Sequence, residues 1–358
     1  MTTAQRISKW FFYLLLFPAT LGVCAWQGWA WWSWAIAPAR SGEPADNTVQ
    51  IEIPQGTSAQ QIGADLEAAG LIRSNTAWNL WTRWQTLQNR SGDFQAGTYA
   101  LSPSEPLDAI ADQIWQGEVV QASFTIPEGW SMQQMAAYFE EEGFFSAADF
   151  LAAARQVPYD RYPWLPKDLP HLEGFLFPDT YEVPEGITAA LVVNQMLDRF
   201  EQAALPVYQQ AQSAYSLKDW VTLSSIVEKE AVVDAERSTI ASVFARRLTE
   251  GMPLGADPTV EYAFNLRQAP GQPLTLAQVN TPSPYNTYLI AGLPPTPIAS
   301  PGLASLRASL QPQDTEFLYF VARYDGTHVF SRTLAEHEAA QARIQDGLAS
   351  QTPSSAAN

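Results

Sequence analysis

Two carboxylates, Glu228 and Glu230, lie near the end of the stretch Asp219–Val233, DWVTLSSIVEKEAVV, whose periodicity predicts a helix. At about 100° per residue, Trp220, Leu223, Ile226, Val227, Ala231 and Val233 share one apolar arc, with Glu230 near its middle. Glu228 falls about 160° away, with Val221, Ser224, Ser225 and Val232, so one helix cannot aim both carboxylates into one site. A carboxyl among apolar groups has its charged form disfavoured, keeps its proton near neutrality and can donate it. A glycosidic oxygen needs such a donor. The residues leave a structural alternative open. An inward glutamate can be held by an arginine, with Arg237, Arg246 and Arg247 on the following helix available, or can sit at a helix end where its charge reaches water.

Two loops add groups that suit a sugar. Leu172–Tyr181, LEGFLFPDTY, mixes aromatics with Glu173 and Asp179, and Thr281–Tyr288, TPSPYNTY, is a stiff turn carrying Tyr285 and Asn286, followed by Gly292-Leu293-Pro294-Pro295. Pyranose rings offer apolar faces and hydroxyl edges, which aromatics, amides and carboxylates on rigid loops match. The same prolines and aromatics also serve simply to pack loops. Asp257-Pro258-Thr259 is a third polar turn, or a cap for a helix over Val260–Asn265.

Composition excludes several other chemistries. Lys plus Arg number 20 against 37 Asp plus Glu, and the net charge of −17 argues against nucleic acid as a partner, because phosphates need a basic face. Cys24 is the sole cysteine, so the chain has no internal disulfide and no cysteine cluster for a metal. His171, His328 and His337 are the only histidines and form no close ligand pair, so neither a metal site nor a cofactor is expected. With 46% hydrophobic and 12% aromatic residues, the chain has ample material for a core.

The elements that must position these groups begin with a membrane segment. Trp10 to Ala39 are 30 consecutive uncharged residues, and a span is placed at 12–32, between Trp10 and Tyr13 at one interface and Trp26 to Trp34 at the other. Arg6 and Lys9 before it put residues 1–11 in the cytoplasm. Ala35-Ile36-Ala37 resembles a signal-peptide cleavage site, but the apolar run is about twice a typical h-region and cleavage there would leave Pro38 first. A polar linker, 33–47, follows.

A weak repeat comes next. Ile51–Ile72, IEIPQGTSAQQIGADLEAAGLI, returns 73 residues later as Phe124–Phe145, FTIPEGWSMQQMAAYFEEEGFF. Each copy reads as a strand, a Pro-x-Gly turn, a serine cap, a helix and a glycine stop. With a second helix over Thr76–Gln88 and a strand within Phe94–Leu101, residues 48–104 have the strand, helix, helix, strand order of a LysM-like subdomain, either a glycan contact or a spacer. A helix after Pro106 leads onward. Further helices are expected at Ser131–Glu142, Ser146–Ala154, Thr188–Ala203, Ala235–Glu250 and Leu334–Leu348. Strands are expected at Val120–Ile126, Thr180–Val183, Phe317–Arg323 and His328–Ser331, the last two joined in a hairpin. Helices and antiparallel strands without a βαβ rhythm indicate an α+β catalytic domain over 105–348, with a disordered tail at 349–358.

Six motifs in order over about 125 residues carry a resemblance. They are Glu173–Tyr181, Ser225–Glu230, Ser242-Val243-Phe244 with Arg247-Leu248, Ala256–Val260, Thr281–Tyr288 and Gly292–Pro295. Here the chain resembles an MltG-type (YceG-like) endolytic murein transglycosylase, and Gly97-Thr98-Tyr99 and the N-terminal anchor extend the resemblance over nearly its whole length. It departs at Thr296, where glycine is usual, and at Ser300, where asparagine or threonine is expected.

The resemblance implies an inner-membrane anchor, a LysM-like subdomain and a periplasmic catalytic domain acting on peptidoglycan glycan strands, beside penicillin-binding peptidoglycan synthases. It also implies that the second glutamate of Val-Glu-Lys-Glu, here Glu230, is catalytic. Asp179, Tyr285 and Asn286 are then the candidates for positioning the sugar. A hydrolytic muramidase would need a second carboxylate, Asp179 or Asp257, to activate water. A non-catalytic glycan-binding scaffold is the alternative outside the enzymes.

Overall fold

A computed structural model of the chain describes residues 16–42, 44, 46–87, 94–268, 273–323 and 325–351. The expected cytoplasmic segment 1–11, the start of the expected span at 12–15, and the tail from 352 onward lie outside the described residues. The fold is mixed α+β, with three two-stranded sheets among the described residues. The chain divides into two compact units, the first running to Ser123 and taking in Glu182–Gly186, the second comprising Phe124–Tyr181 and Ile187 onward.

The first unit opens with α1, Phe17–Ile36. Among the described residues no helix is long and apolar enough to cross a membrane. The end of α1 belongs to the globular core: Ala35 is fully buried, and Trp32 and Ile36 pack against it. The expected linker at 33–47 therefore begins inside a helix, because these side chains find an apolar surface to cover. Strand β1, Val49–Ile53, pairs antiparallel with β2, Gly97–Leu101, setting Ile51 opposite Tyr99. Between them lie α2, Ala59–Ala68, and α3, Asn75–Leu87. Helix α4, Leu107–Gln116, buries Leu107, Ile110, Ala111 and Ile114 in the same core, carrying the unit past residue 104. An amphipathic stripe cannot be left facing water, which is why the helix closes the first core. Tyr99 anchors this core through a 2.7 Å hydrogen bond to the Gln95 carbonyl, and burial pushes its hydroxyl up to about 12.

The repeat has a structural counterpart in its helix starts. Ser58 accepts from the Gln61 N–H, and Ser131 accepts from the Gln134 N–H while the Gln134 side chain accepts from the Ser131 N–H. Each cap satisfies a donor that a helix start leaves open. Strand β3, Gln121–Thr125, follows α4 and pairs with β4, Thr180–Pro184.

In the second unit, α5 (Met132–Glu141) and α6 (Ala147–Arg155) enclose a cluster of Phe124, Phe139 and Phe150. After β4 come α7 (Ala189–Ala203), the short α8 (Leu205–Gln210) and α9 (Leu217–Glu230). Helix α10, Arg237–Thr249, follows a turn of 3-10 helix, and α11 (Asp257–Phe264), α12 (Leu276–Val279) and α13 (Leu303–Leu310) complete the surroundings of the site. The hairpin β5 (Tyr319–Ala322) and β6 (His328–Ser331) pairs Phe320 with Phe330, and α14 (Leu334–Gln351) ends the described chain.

Helix α9 differs from its expected form in two ways. Eight consecutive residues, Trp220 to Val227, are buried, so its serine face is enclosed as well as its apolar arc. The hydroxyls of Thr222, Ser224 and Ser225 donate back to the carbonyls of Lys218, Trp220 and Thr222, removing the cost of enclosing them. The helix also stops at Glu230, three residues early, because Ala231 turns to extended backbone and Val232 emerges 72% exposed. Leu223, Ile226 and Val227 pack against Ile240, Ala241 and Phe244 of α10, with Leu254, Ile298 and Ala308 around them.

Gly174 has φ +83, and a Cβ there would run into the Pro297 ring and Val221. Gly174→Ala is expected to lower unfolding stability by about 2 kcal/mol or more, combining a left-handed backbone with overpacking. A thermal melt with an unchanged midpoint would contradict this packing.

Candidate active site

Glu230 is the last residue of α9 and is half-buried, where the helix delivers it to a cleft of ≈ 800 Å³ in the second unit. Asp257 and Glu261 of α11, Arg247 of α10, Tyr288 of the 281–288 turn and Tyr319 of β5 also line the cleft. Burial, then the neighbouring charges of Asp257 and Glu261, push the Glu230 carboxyl up to about 8, and Arg247 opposes them. Near neutrality the group therefore holds its proton and faces open space, as a general acid must.

Arg247 makes its hydrogen bonds to backbone carbonyls rather than to Glu230. Arg247 Nε donates to the Leu318 carbonyl at 2.7 Å, its Nη1 donates to the Leu254 carbonyl at 2.6 Å, and its guanidinium lies over the Tyr319 ring. Its charge is thus spread over backbone dipoles. The arginine-held alternative concerns the inward Glu230, but the glutamate within ion-pair reach of an arginine is Glu228. That residue is bonded by the Gly302 N–H at 3.0 Å, lies 3.9 Å from Arg237 and is not among the cleft-lining residues. The helix thus sends its two carboxylates to different duties, one structural and one exposed to the cleft.

Asn286 is fully buried, and all of its hydrogen bonds are internal. Its amide donates to the carbonyls of Val279 and Thr281, and its oxygen accepts from the Tyr288 N–H. The Tyr285 hydroxyl pairs with that of Thr296 at 2.7 Å, its ring lies beside Tyr262, and it packs against the α9 core. Neither residue is among the cleft-lining residues. Asp179 pairs with Arg199 at 2.6 Å and also lies outside that set. These three side chains shape the surroundings, whereas Tyr288 and Asp257 reach the cleft and bond each other at 2.5 Å.

The turn is stitched to α11 by threonines. The Thr287 hydroxyl accepts from the Ala256 N–H and pairs with the Thr259 hydroxyl at 2.8 Å, and the Gly255 N–H donates to the Thr287 carbonyl. Both turns are polar in sequence, but the threonine pairing that registers them depends on residues 28 apart. Thr296, the unusual residue of its motif, is buried and supplies the hydroxyl that Tyr285 needs.

Glu173 is a carboxyl more deeply enclosed than Glu230, 2% exposed, accepting from the Met132 N–H and the Tyr262 hydroxyl. Burial pushes it to about 8 as well, against the opposing effect of these hydrogen bonds. It is absent from the cleft lining and ties the Leu172–Tyr181 loop to the start of α5. No group of His, Cys, Asp or Glu among the described residues is arranged to hold a metal ion.

Residues 51–343 match the model of the YceG-like family. The chain is 33% identical over 309 residues to a Bacillus subtilis (strain 168) protein named endolytic murein transglycosylase, covering 82% of this chain and 84% of that one. It is 31% identical over 327 residues to a protein of the same name from Streptococcus pneumoniae serotype 2 (strain D39 / NCTC 7466), covering 81% of this chain and 58% of that relative. Among solved structures, a yceG-like protein from Listeria monocytogenes is similar at a TM-score of 0.54 and 31% identity, over 82% of this chain and 99% of that one.

Two outcomes test the geometry. In the folded state Glu173 and Glu230 keep protons up to about 8 that the unfolded chain releases near 4.5, so each makes stability fall as pH rises through that window. Glu173→Gln removes one of these terms, and its melting midpoint should fall less than that of the unaltered chain between about pH 5 and pH 9. Parallel falls would show that Glu173 carries no such proton. Asn286→Ala is expected to cost about 2 to 4 kcal/mol in denaturant unfolding, because it leaves two carbonyls and one N–H without their partner.

Proposed function

We propose that this chain, which belongs to the YceG-like family, cleaves peptidoglycan as an endolytic murein transglycosylase with Glu230 as its acid and base. The bond split is the β-1,4 link from N-acetylmuramic acid to N-acetylglucosamine inside a glycan strand. The observation that carries the reading is a carboxyl held protonated to about 8 at the wall of an open cleft. Glu230 gives its proton to the leaving oxygen as the muramoyl C1 becomes oxocarbenium-like. As carboxylate it then takes the proton of the muramoyl C6 hydroxyl, whose oxygen bonds to C1. The products are a 1,6-anhydromuramoyl end and a free N-acetylglucosamine 4-hydroxyl, and no water is consumed.

The half-buried Tyr285 and the buried Asn286 act on the sugar indirectly, through the shape of the turn that presents Tyr288. Asp179 holds Arg199 and so braces the loop after Glu173. The uncharged run Trp10–Ala39 supports a single-pass inner-membrane anchor with the N-terminus in the cytoplasm and the rest of the chain in the periplasm. There the enzyme meets nascent glycan as it leaves penicillin-binding synthases, and its cuts limit strand length. The antiparallel β1–β2 pair with two helices between its strands supports a LysM-like module. The catalytic groups all lie in the second unit, Phe124–Tyr181 and Ile187 onward.

One observation favours a second reading. Asp257 shares the cleft with Glu230, as a hydrolytic muramidase would require.

Uncrosslinked glycan strands treated with the full-length chain in detergent are expected to give internal anhydro ends, read by mass spectrometry. Glu230→Gln should lower the rate at least ~10²-fold, the usual range for loss of a general acid. Activity should fall as pH rises above about 8, where Glu230 loses its proton. Products heavier by one water would transfer the assignment to the hydrolase, and full activity in the variant would remove Glu230 from the chemistry.

A further inference from the structure

The hairpin β5–β6 forms a wall of the cleft that the proposed reaction does not use. Tyr319, Phe320, Val321 and Ala322 of β5 line it, as does His328 of β6. His328 is buried; its Nδ1 lies 2.8 Å from Glu236 Oε2, and its backbone N–H donates to Oε1 at 3.2 Å. A carboxylate only accepts, so Nδ1 carries the proton and Nε2 keeps a lone pair. Nε2 has no hydrogen-bond partner among the described residues and is not enclosed. Ala322, small and exposed, stands opposite His328 in the register and leaves the ring open to the cleft. Glu236 lies on the short segment that follows Glu230, so one stretch of chain carries both the acid and the group that aims His328.

The edge of β5 is a second, independent feature. The Arg323 N–H donates to the Thr327 carbonyl at 2.8 Å, and the register pairs Val321 with Val329. Hydrogen-bonded pairs alternate along an antiparallel ladder, so the N–H and C=O of Phe320 and Ala322 point away from β6. The outward His328 N–H, bound by Glu236, obeys the same alternation. Among the described residues, no group outside the hairpin bonds to these two N–H and two C=O groups. Tyr319 stacks on His337 at one face of the strand and Phe320 meets Phe244 at the other, yet all four residues line the cleft, which therefore runs along the edge.

We propose that β5–β6 is a saccharide subsite of this cleft, in which His328 Nε2 accepts a hydrogen bond from a sugar hydroxyl and the edge of β5 bonds an acetamido group. The proposal rests on murein glycan being the substrate and names the part of it that is read. An acetamido group carries one N–H and one C=O, the groups a neighbouring strand would offer, and every sugar of an N-acetylmuramic acid and N-acetylglucosamine strand bears one. The edge shares its cleft with Glu230, which selects the glycan over a strand from another chain.

The experiment measures binding of uncrosslinked glycan strands to the full-length Glu230→Gln chain in detergent by isothermal titration calorimetry, so that cleavage does not consume the ligand. That parent is compared with forms that add His328→Asn, His328→Gln or Ala322→Pro. Asparagine reproduces Nδ1 and keeps the bond to Glu236 but lacks Nε2, and glutamine does the reverse. Proline removes one outward N–H, which an edge strand tolerates. His328→Asn and Ala322→Pro should each weaken binding roughly 3- to 10-fold, the range for one hydrogen bond, with melting midpoints close to the parent's. His328→Gln should bind more tightly than His328→Asn even though it melts lower. A cello-oligosaccharide, with hydroxyls in place of acetamido groups, should bind more weakly than an N-acetylglucosamine oligomer of equal length, and Ala322→Pro should narrow that difference.

The reverse order, with His328→Asn binding like the parent and His328→Gln impaired, would reduce His328 to a pin between the hairpin and Glu236 and overturn the proposal. Unchanged binding in a folded Ala322→Pro would overturn it at the edge, as would a dimer of the parent that this proline abolishes. If His328→Asn does not fold, Ala322→Pro and the oligosaccharide pair decide. Failure of the underlying reading is separate: it appears as absence of cleavage by the wild type, or as full activity in Glu230→Gln.

Discussion

A helix enclosed on every side for two turns is the constraint on which the second unit depends. Trp220 to Val227 have no exposed face, so α10, α13 and the segment around Ile298 must all pack against α9. Each buried apolar side chain of this kind contributes about 1.5 to 3 kcal/mol. The Trp220 indole donates to the Leu306 carbonyl and the Ser225 hydroxyl accepts from the Ile298 N–H, which fixes the helix along its length. The helix so fixed ends at Glu230.

Around that end the protein spends most of its polar interactions on geometry. Two loops distant in sequence are stitched by hydroxyls and backbone groups, so Tyr288 and Asp257 arrive as a bonded pair. Glu228 and Arg237 secure the other side of the helix end, with the Gly302 N–H as a third member. Such arrangements hold charged groups before a substrate arrives and leave little reorganisation for the reaction itself. The family assignment and the proposed reaction agree with this division between fixed frame and open acid.

Much of this was legible in the chain. The apolar period of Asp219–Val233 placed Glu230 against the core, the serine caps announced two helices, and His328–Ser331 read correctly as a strand. The roles of Tyr285 and Asn286 were less legible. Tyrosine and asparagine in a proline-rich turn suit a sugar and suit an internal brace equally well, and only the partners at Thr296, Val279 and Thr281 separate the two uses. Tyr288 lay two residues from Asn286 and carried no stronger signal, although it reaches the cleft. Helices α8, α12 and α13 were not anticipated, since eight or fewer residues give too little periodicity to read.

The sequence by itself determined the family, the mixed α+β class and a glutamate placed where an acid would be, because these follow from local periodicity, turn chemistry and ordered motifs. The tertiary structure decided which carboxylate meets an arginine, where α9 stops, that α4 belongs with the first core, and which polar side chains reach the cleft. Those outcomes depend on contacts between residues far apart in the chain, such as Thr259 with Thr287 and Glu228 with Gly302. Burial and its effect on charge are properties of the packed surroundings, and no local pattern specifies them.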